Sequence, residues 1–310
     1  MFRFTMPDPT LPIADQATEL RDQGNAFLES AALQELFRLL NVDQRTIGRA
    51  FDRRPAGDGR VREIQELDRS ARLETCRDEL YPLIEELGLL SINEPLRKEN
   101  SHVIVLGGSL GACQRRTSCA KRWVTPTTRS VDGLSCFRPV NPVERAQVTR
   151  QSNSDTEFGA LAECFASTFH LPSDSATDEF RGDRNLNGVS CIRSFDAGRG
   201  CASRAHRVLA APSTQPDARR ADTGDSIAFY LRHTDVAPTD SLLAITDNRH
   251  CNRQFLQIAC QLLQAGRPAR LDVVGCTASE NTPTRESYEP HQFIQDLIGT
   301  LDWIDRLAHL

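Results

Sequence analysis

His250 and Arg253 stand three residues apart in the stretch TDNRHCNRQ. In a helix that spacing puts an imidazole and a guanidinium on one face. An imidazole titrates near neutrality and serves as general acid or base. A guanidinium clamps a carboxylate or phosphate through two parallel hydrogen bonds. Asp247 sits one helical turn earlier, where a strand would end. The competing reading is that His250 caps the helix or bonds a carbonyl, and that Arg253 is an ordinary helix arginine.

A second stretch, SHVIVLGGSLGACQRR at 101–116, runs the apolar strand Val103 to Leu106 into Gly107 and Gly108, then Ser109, Arg115 and Arg116. Glycine has no Cβ, so a ligand can approach the backbone at such a corner. A helix beginning at Ser109 would turn free N–H groups and a partial positive charge toward an anion. The spacing G-G-x-x-G is not the G-x-G-x-x-G dinucleotide fingerprint, and taken alone the segment is a strand-to-helix corner. Glu157, Asp222, Asp225 and Asp247 come from separate loops without D-x-D spacing, so capping explains most of them better than a metal. Glu157 is the carboxylate that could hold ribose hydroxyls or an amino group. Cys113 and Cys251 read as buried thiols rather than nucleophiles. Ser109 lies in no G-x-S-x-G elbow, which argues against a hydrolase triad.

Composition narrows the partner class. The chain has 310 residues and a formal net charge of −5, which argues against nucleic acid as the main partner. Lysine occurs only at Lys98 and Lys121, a bias that genomic base composition explains, so any anion site must be built from arginine forks. The 10 cysteines include no C-x-x-C pair, against a zinc ribbon or thioredoxin motif. The N-terminal stretch MFRFTMPDPTLP has no apolar signal core, and no run approaches a membrane span. A cytoplasmic protein with reduced thiols is expected, acting on a small-molecule ligand.

These residues need elements to position them. Residues 1–12 read as a loose, proline-punctuated arm, and 14–90 as helical, with one helix through 27–40 stopping at Asn41 and others over 61–71 and 80–87. Strands are expected at 103–106, 134–137, 189–192, 207–211, 242–245 and 271–274, separated by helices over 110–123, 155–169, from 226, up to 264, and 293–307. Residues 171–204 carry no clear pattern. Strands spaced by helices imply an α/β fold, a mostly parallel sheet with helices on both faces. The division expected is an N-terminal helical subdomain, 1–100, and an α/β ligand-binding domain, 101–310. In such sheets ligands bind beyond the strand C-termini.

Four segments, in order, resemble the YdcF-like family of bacterial proteins, which includes the SanA and ElyC branches. VIVLGG at 103–108 is similar to that family's opening strand and glycine turn, and DTEFGALAE at 155–163 to its acidic helix start. RADTGDSIAFYL at 220–231 resembles its T-x-x-x-N-A-type helix start, and AITDNRHCNRQ at 244–254 its strand, polar turn and helix with His and Arg. The resemblance covers roughly 102–276. It implies a Rossmann-like domain whose pocket holds a small, partly anionic ligand, with S-adenosylmethionine or another adenine nucleotide as the cofactor. The matched segments and the loops at the strand ends together give the expected site: Gly107, Gly108, Ser109, Arg115, Glu157, Thr223, Asp225, Asp247 and Arg253 for binding and His250 for acid–base work. Asp225 departs from the Asn frequent in the family and disfavours a phosphate directly beside it. Residues 171–219 look like an expansion. The family has no settled reaction, so an enzyme and a non-catalytic regulatory protein both fit.

Overall fold

Uninterrupted apolar runs make the middle of the sheet, because strands covered on both faces need apolar side chains on both sides. The computed structural model describes the chain except for 52–72, 74, 91, 93, 147–151, 173, 175, 183–186, 197–203 and 277–288. The expected helix over 61–71 lies outside the described residues. Helices α1 (Ile13–Leu28), α2 (Ala31–Leu40), α3 (Ile47–Phe51) and α4 (Arg77–Glu86) precede the sheet. Then come β1 (His102–Leu106), α5 (Leu110–Lys121), β2 (Ser130–Ser135), α6 (Pro142–Ala146), α7 (Glu157–Phe169), β3 (Ala176–Arg181), β4 (Ser190–Phe195) and β5 (Ala205–Ala210). The chain closes with α8 (Thr223–His233), β6 (Ser241–Asp247), α9 (Cys251–Gln264), β7 (Arg270–Cys276) and α10 (Pro290–Leu307).

The sheet order is β3-β4-β5-β2-β1-β6-β7. From β5 to β7 all neighbours are parallel, while β3 and β4 are antiparallel. The connections 182–189 and 196–204 are shorter than the dozen or so residues a parallel crossover needs, so those strands must reverse. Taken alone, the parallel strands run third, second, first, fourth, fifth in chain order. That is the doubly wound, Rossmann-like arrangement, and its direction switches between β1 and β6.

Alternate residues face opposite layers. Val103, Val105, Leu243 and Ile245 pack with Phe158, Leu161 and Phe165 of α7. Ile104, Leu106, Leu242 and Ala244 belong to the core that holds Phe255 of α9, Phe293 of α10 and Leu20, Phe27 and Leu36 of the N-terminal helices. Those helices therefore share a core with one face of the sheet.

Several expectations are corrected. The arm is not loose: Phe2 and Phe4 pack on Phe27 with ring centroids 5.0 and 5.6 Å apart, and Phe2 N–H donates to Glu86 O at 2.6 Å. The helix expected through 27–40 breaks where Ser30 turns extended, although it does stop at Asn41, in the left-handed region at φ 54°. Helix α8 begins three residues early because Asp222 and Asp225 form a reciprocal capping box. Strand β2 begins at Ser130 rather than 134. Its polar residues hid it: Asp132 is wholly buried, accepting from Arg207 Nε at 2.7 Å and Ser130 Oγ at 2.6 Å. No helix among the described residues is long and apolar enough to cross a membrane.

Candidate functional site

At the end of β1, Gly107 and Gly108 turn the chain into α5, as their sequence context requires. A side chain at Gly107 would put Cβ 2.3 Å from Glu157 Oε1 and 2.8 Å from Leu134 O. The close approach that this corner allows is therefore made by the protein's own carboxylate. Glu157 accepts from Arg138 Nε at 2.9 Å, and Arg138 also reaches Gly108 O at 2.9 Å and Glu144 at 2.6 Å. Glu144 in turn accepts from Leu110 N–H at 3.2 Å, so an internal anion already occupies the start of α5. Ser109 is its N-cap, accepting from Ala112 N–H at 3.4 Å. Burial raises the Glu157 pKa above the ordinary carboxylate value, against the charges of Arg138, Arg220 and Arg116.

Across the switch point, Arg116 and Asp247 form a buried ion pair at 2.8 Å. Arg116 also donates to the carbonyls of Leu106, at 2.9 Å, and Gly107. This guanidinium therefore caps the carbonyls at the end of β1. Burial alone would raise the Asp247 carboxyl, but Arg116 overrides it and holds the group well below the usual carboxylate range. Arg115, on the solvent side, lies 3.5 Å from the other Asp247 oxygen.

Beyond β6 a short 3-10 turn, Asn248–His250, leads into α9. His250 Nδ1 lies 2.6 Å from Asp296 Oδ1 on α10. Nδ1 also lies 3.1 Å from Arg253 Nη2, so the carboxylate of Asp296 and the guanidinium of Arg253 converge on the same ring nitrogen. Arg253 Nη2 forms an ion pair with the same Asp296 oxygen at 3.0 Å, and Arg249 lies 3.7 Å from the second oxygen. The stem of Arg253 crosses α10 at Gly299, whose Cβ would meet Arg253 Cδ at 2.4 Å. Burial would raise the Asp296 carboxyl, but the bond to His250 and the neighbouring guanidinium groups keep it well below the usual range.

Burial lowers His250 to about 4, because the pull of Asp296 is opposed by Arg249 and Arg253. The folded imidazole is thus neutral at pH 7, while the unfolded one takes up a proton below about 6.5. Stability from this group is complete above 6.5 and is lost as pH falls toward 4. The expected loss between those limits is about 3 kcal/mol, at roughly 1.4 kcal/mol per unit. Denaturation of the parent and of His250→Gln at several pH values checks this. The parent should show the steeper decline from pH 6.5 to 5, and parallel curves would refute the neutral buried imidazole.

The structure thus brings together Gly107, Gly108, Ser109, Arg115, Glu157 and Asp247 around the β1 and β6 ends, with His250 and Arg253 alongside. Thr223 and Asp225 stand apart in function: Asp225 accepts from Arg219 at 2.5 Å and from Asp222 N–H at 3.0 Å, within the start of α8. No group of three or more His, Cys, Asp or Glu residues among the described ones could hold a metal ion. Burial pushes the thiols of Cys113 and Cys251 up, so both stay protonated. Sequence reasoning passed over Asp296. Its signal was a carboxylate at the same helical stripe as Phe293, Leu297 and Thr300, a position that calls for a cationic partner.

Comparison with protein-family models, with curated proteins and with solved structures finds no match to this chain.

Proposed function

We propose that the crevice beyond β1 and β6 binds a small anionic ligand, its anion gripped by Arg253 and Arg115 with His250 beside it. One observation carries this reading: guanidinium groups outnumber carboxylates at the switch point. Arg115, Arg116, Arg138, Arg249 and Arg253 face the four carboxylates of Asp247, Asp296, Glu144 and Glu157. The side chains of Arg115 and Arg253 keep 35% and 29% of their surface, so solvent and ligand can reach both. Because Glu144 already caps α5, the anion belongs beside α9 rather than at Leu110. The resemblance to the YdcF-like proteins makes the ligand an adenine-containing molecule, S-adenosylmethionine or a nucleotide; the proposal also takes the protein to be cytoplasmic.

Two roles remain for such a site: an enzyme using His250 as base, or a non-catalytic regulatory protein. The protonated, buried thiols favour the second, since neither Cys113 nor Cys251 can supply a nucleophile to His250. Incubation with S-adenosylmethionine and with ATP, followed by mass spectrometry, separates the roles: unchanged bound ligand marks the regulator and conversion marks the enzyme.

Calorimetric titration with the same two compounds tests the site. A charged hydrogen bond contributes about 1.5–3 kcal/mol, or roughly ten- to a hundredfold in affinity. Arg253→Ala should lose that factor, and Arg253→Lys should recover little, because an ammonium cannot reproduce a planar fork. Undiminished affinity in both variants would remove Arg253 from the site and the proposal with it.

A further inference from the structure

A cavity of about 400 Å³ opens at the opposite end of the sheet, under the N-terminal arm and beside the first residues of β6 and β7. That volume falls in the range of small-molecule sites. Met6, Pro7, Leu242 and Leu271 give it apolar walls. Arg97 and Arg270 line it as exposed cations. Neither lies within ion-pair distance of a carboxylate among the described residues, although the charge of Arg270 adds to the bonds from Thr10 that lower Asp8. The two acids in the lining are engaged: Asp272 with Arg3 and Leu96 N–H, and Asp8 with the N–H and hydroxyl of Thr10, at 2.9 and 2.8 Å. Asn100 supplies a third feature. It is 1% exposed and donates from Nδ2 to Arg97 O at 3.2 Å, while its Oδ1 is buried without a hydrogen-bond partner. A buried amide oxygen left unpaired is rare in folded proteins and calls for a donor.

We propose that this cavity is a second ligand site, distinct from the switch point, for a small monocarboxylate that carries a hydroxyl. The carboxylate bonds the guanidinium groups of Arg97 and Arg270, the hydroxyl donates to Asn100 Oδ1, and the carbon chain lies on the apolar walls. Two cations against the single carboxylate of Asp8, which Arg270 attracts from beyond ion-pair distance, match one negative charge. The arm that roofs the cavity is held by bonds to the helices, Thr5 N–H to Gln23 Oε1 at 2.9 Å and Gln23 Nε2 to Thr5 O at 2.9 Å, so the roof is fixed, and the buried Asn100 amide turns toward the cavity to meet the hydroxyl.

Calorimetry of the full chain with 3-hydroxyoctanoate, octanoate and 1,3-octanediol tests the assignment. The hydroxy acid should bind saturably and most tightly. The double variant Arg97→Gln/Arg270→Gln changes two exposed side chains and should melt like the parent. It should lose ten- to a hundredfold for both carboxylates, with the diol unaffected. Thr5→Trp, which fills the mouth, should weaken all three probes, whereas Arg253→Ala should change none. Absence of saturable 3-hydroxyoctanoate binding, equal affinity in the double variant, or a comparable loss in Arg253→Ala would each overturn the proposal. The last outcome would place the carboxylate at the switch point instead, while the switch-point reading itself is tested with the adenine compounds.

Discussion

Arg116→Leu is expected to destabilise the protein by about 3–5 kcal/mol, the range for breaking a buried ion pair from one side. Asp247 would keep its charge in a pocket where its side chain is 5% exposed, with Arg115 at 3.5 Å left as its ion-pair partner among the described residues. The carbonyls of Leu106 and Gly107 would lose their donor at the same time. Much of this penalty belongs to the stranded charge rather than to the lost attraction. The double variant Arg116→Leu/Asp247→Leu should therefore regain most of the stability, and urea midpoints of parent, single and double variants measure it. A single variant within about 1 kcal/mol of the parent would mean that the pair contributes as little as one on the surface.

Gly107→Ala should destabilise by about 3 kcal/mol, at the upper end of ordinary overpacking. Two contacts oppose the new methyl. Leu134 O, at 2.8 Å, is backbone in a central strand and cannot swing aside. Glu157 Oε1, at 2.3 Å, can move only by weakening its bond to Arg138, which leaves a buried carboxylate poorly paired. Gly48→Ala is the control, because nothing lies within 4 Å of its Cβ in α3. That change should stabilise by about 0.5–1 kcal/mol, as alanine does in a helix. Thermal unfolding of the two variants gives the comparison, and a Gly107→Ala protein as stable as the parent would show that Glu157 and Leu134 yield freely. The glycine corner is then a seat for Glu157, and the ligand reading rests on the arginines instead.

Much of the framework was legible in local pattern. The apolar run Val103 to Leu106, the strands around 242–245 and 271–274, and the final amphipathic helix each announce themselves within a few residues, since burial on both faces or on one stripe leaves a periodic mark. The order of these signals was enough for a parallel sheet, and that order placed Gly107, Asp247 and His250 at the same end of neighbouring strands. Polar strands escaped, because Asp132 and Ser130 look like loop residues until Arg207 arrives from β5 to pair them. β3 was missed as well, being an exposed edge strand with no buried stripe to read.

Partner choice was the part that residue order could not carry. Arginine can serve any acid within reach, and nothing near His250 in the chain names Asp296 as its partner on α10. Nor does anything near Ser109 show that Glu144 will cap α5 and leave the anion site to other residues. Ion pairs between distant segments form only after the apolar faces have packed. The burial that excludes water also decides which charges survive, so the same packing that builds the core sets His250 neutral and Asp247 ionised.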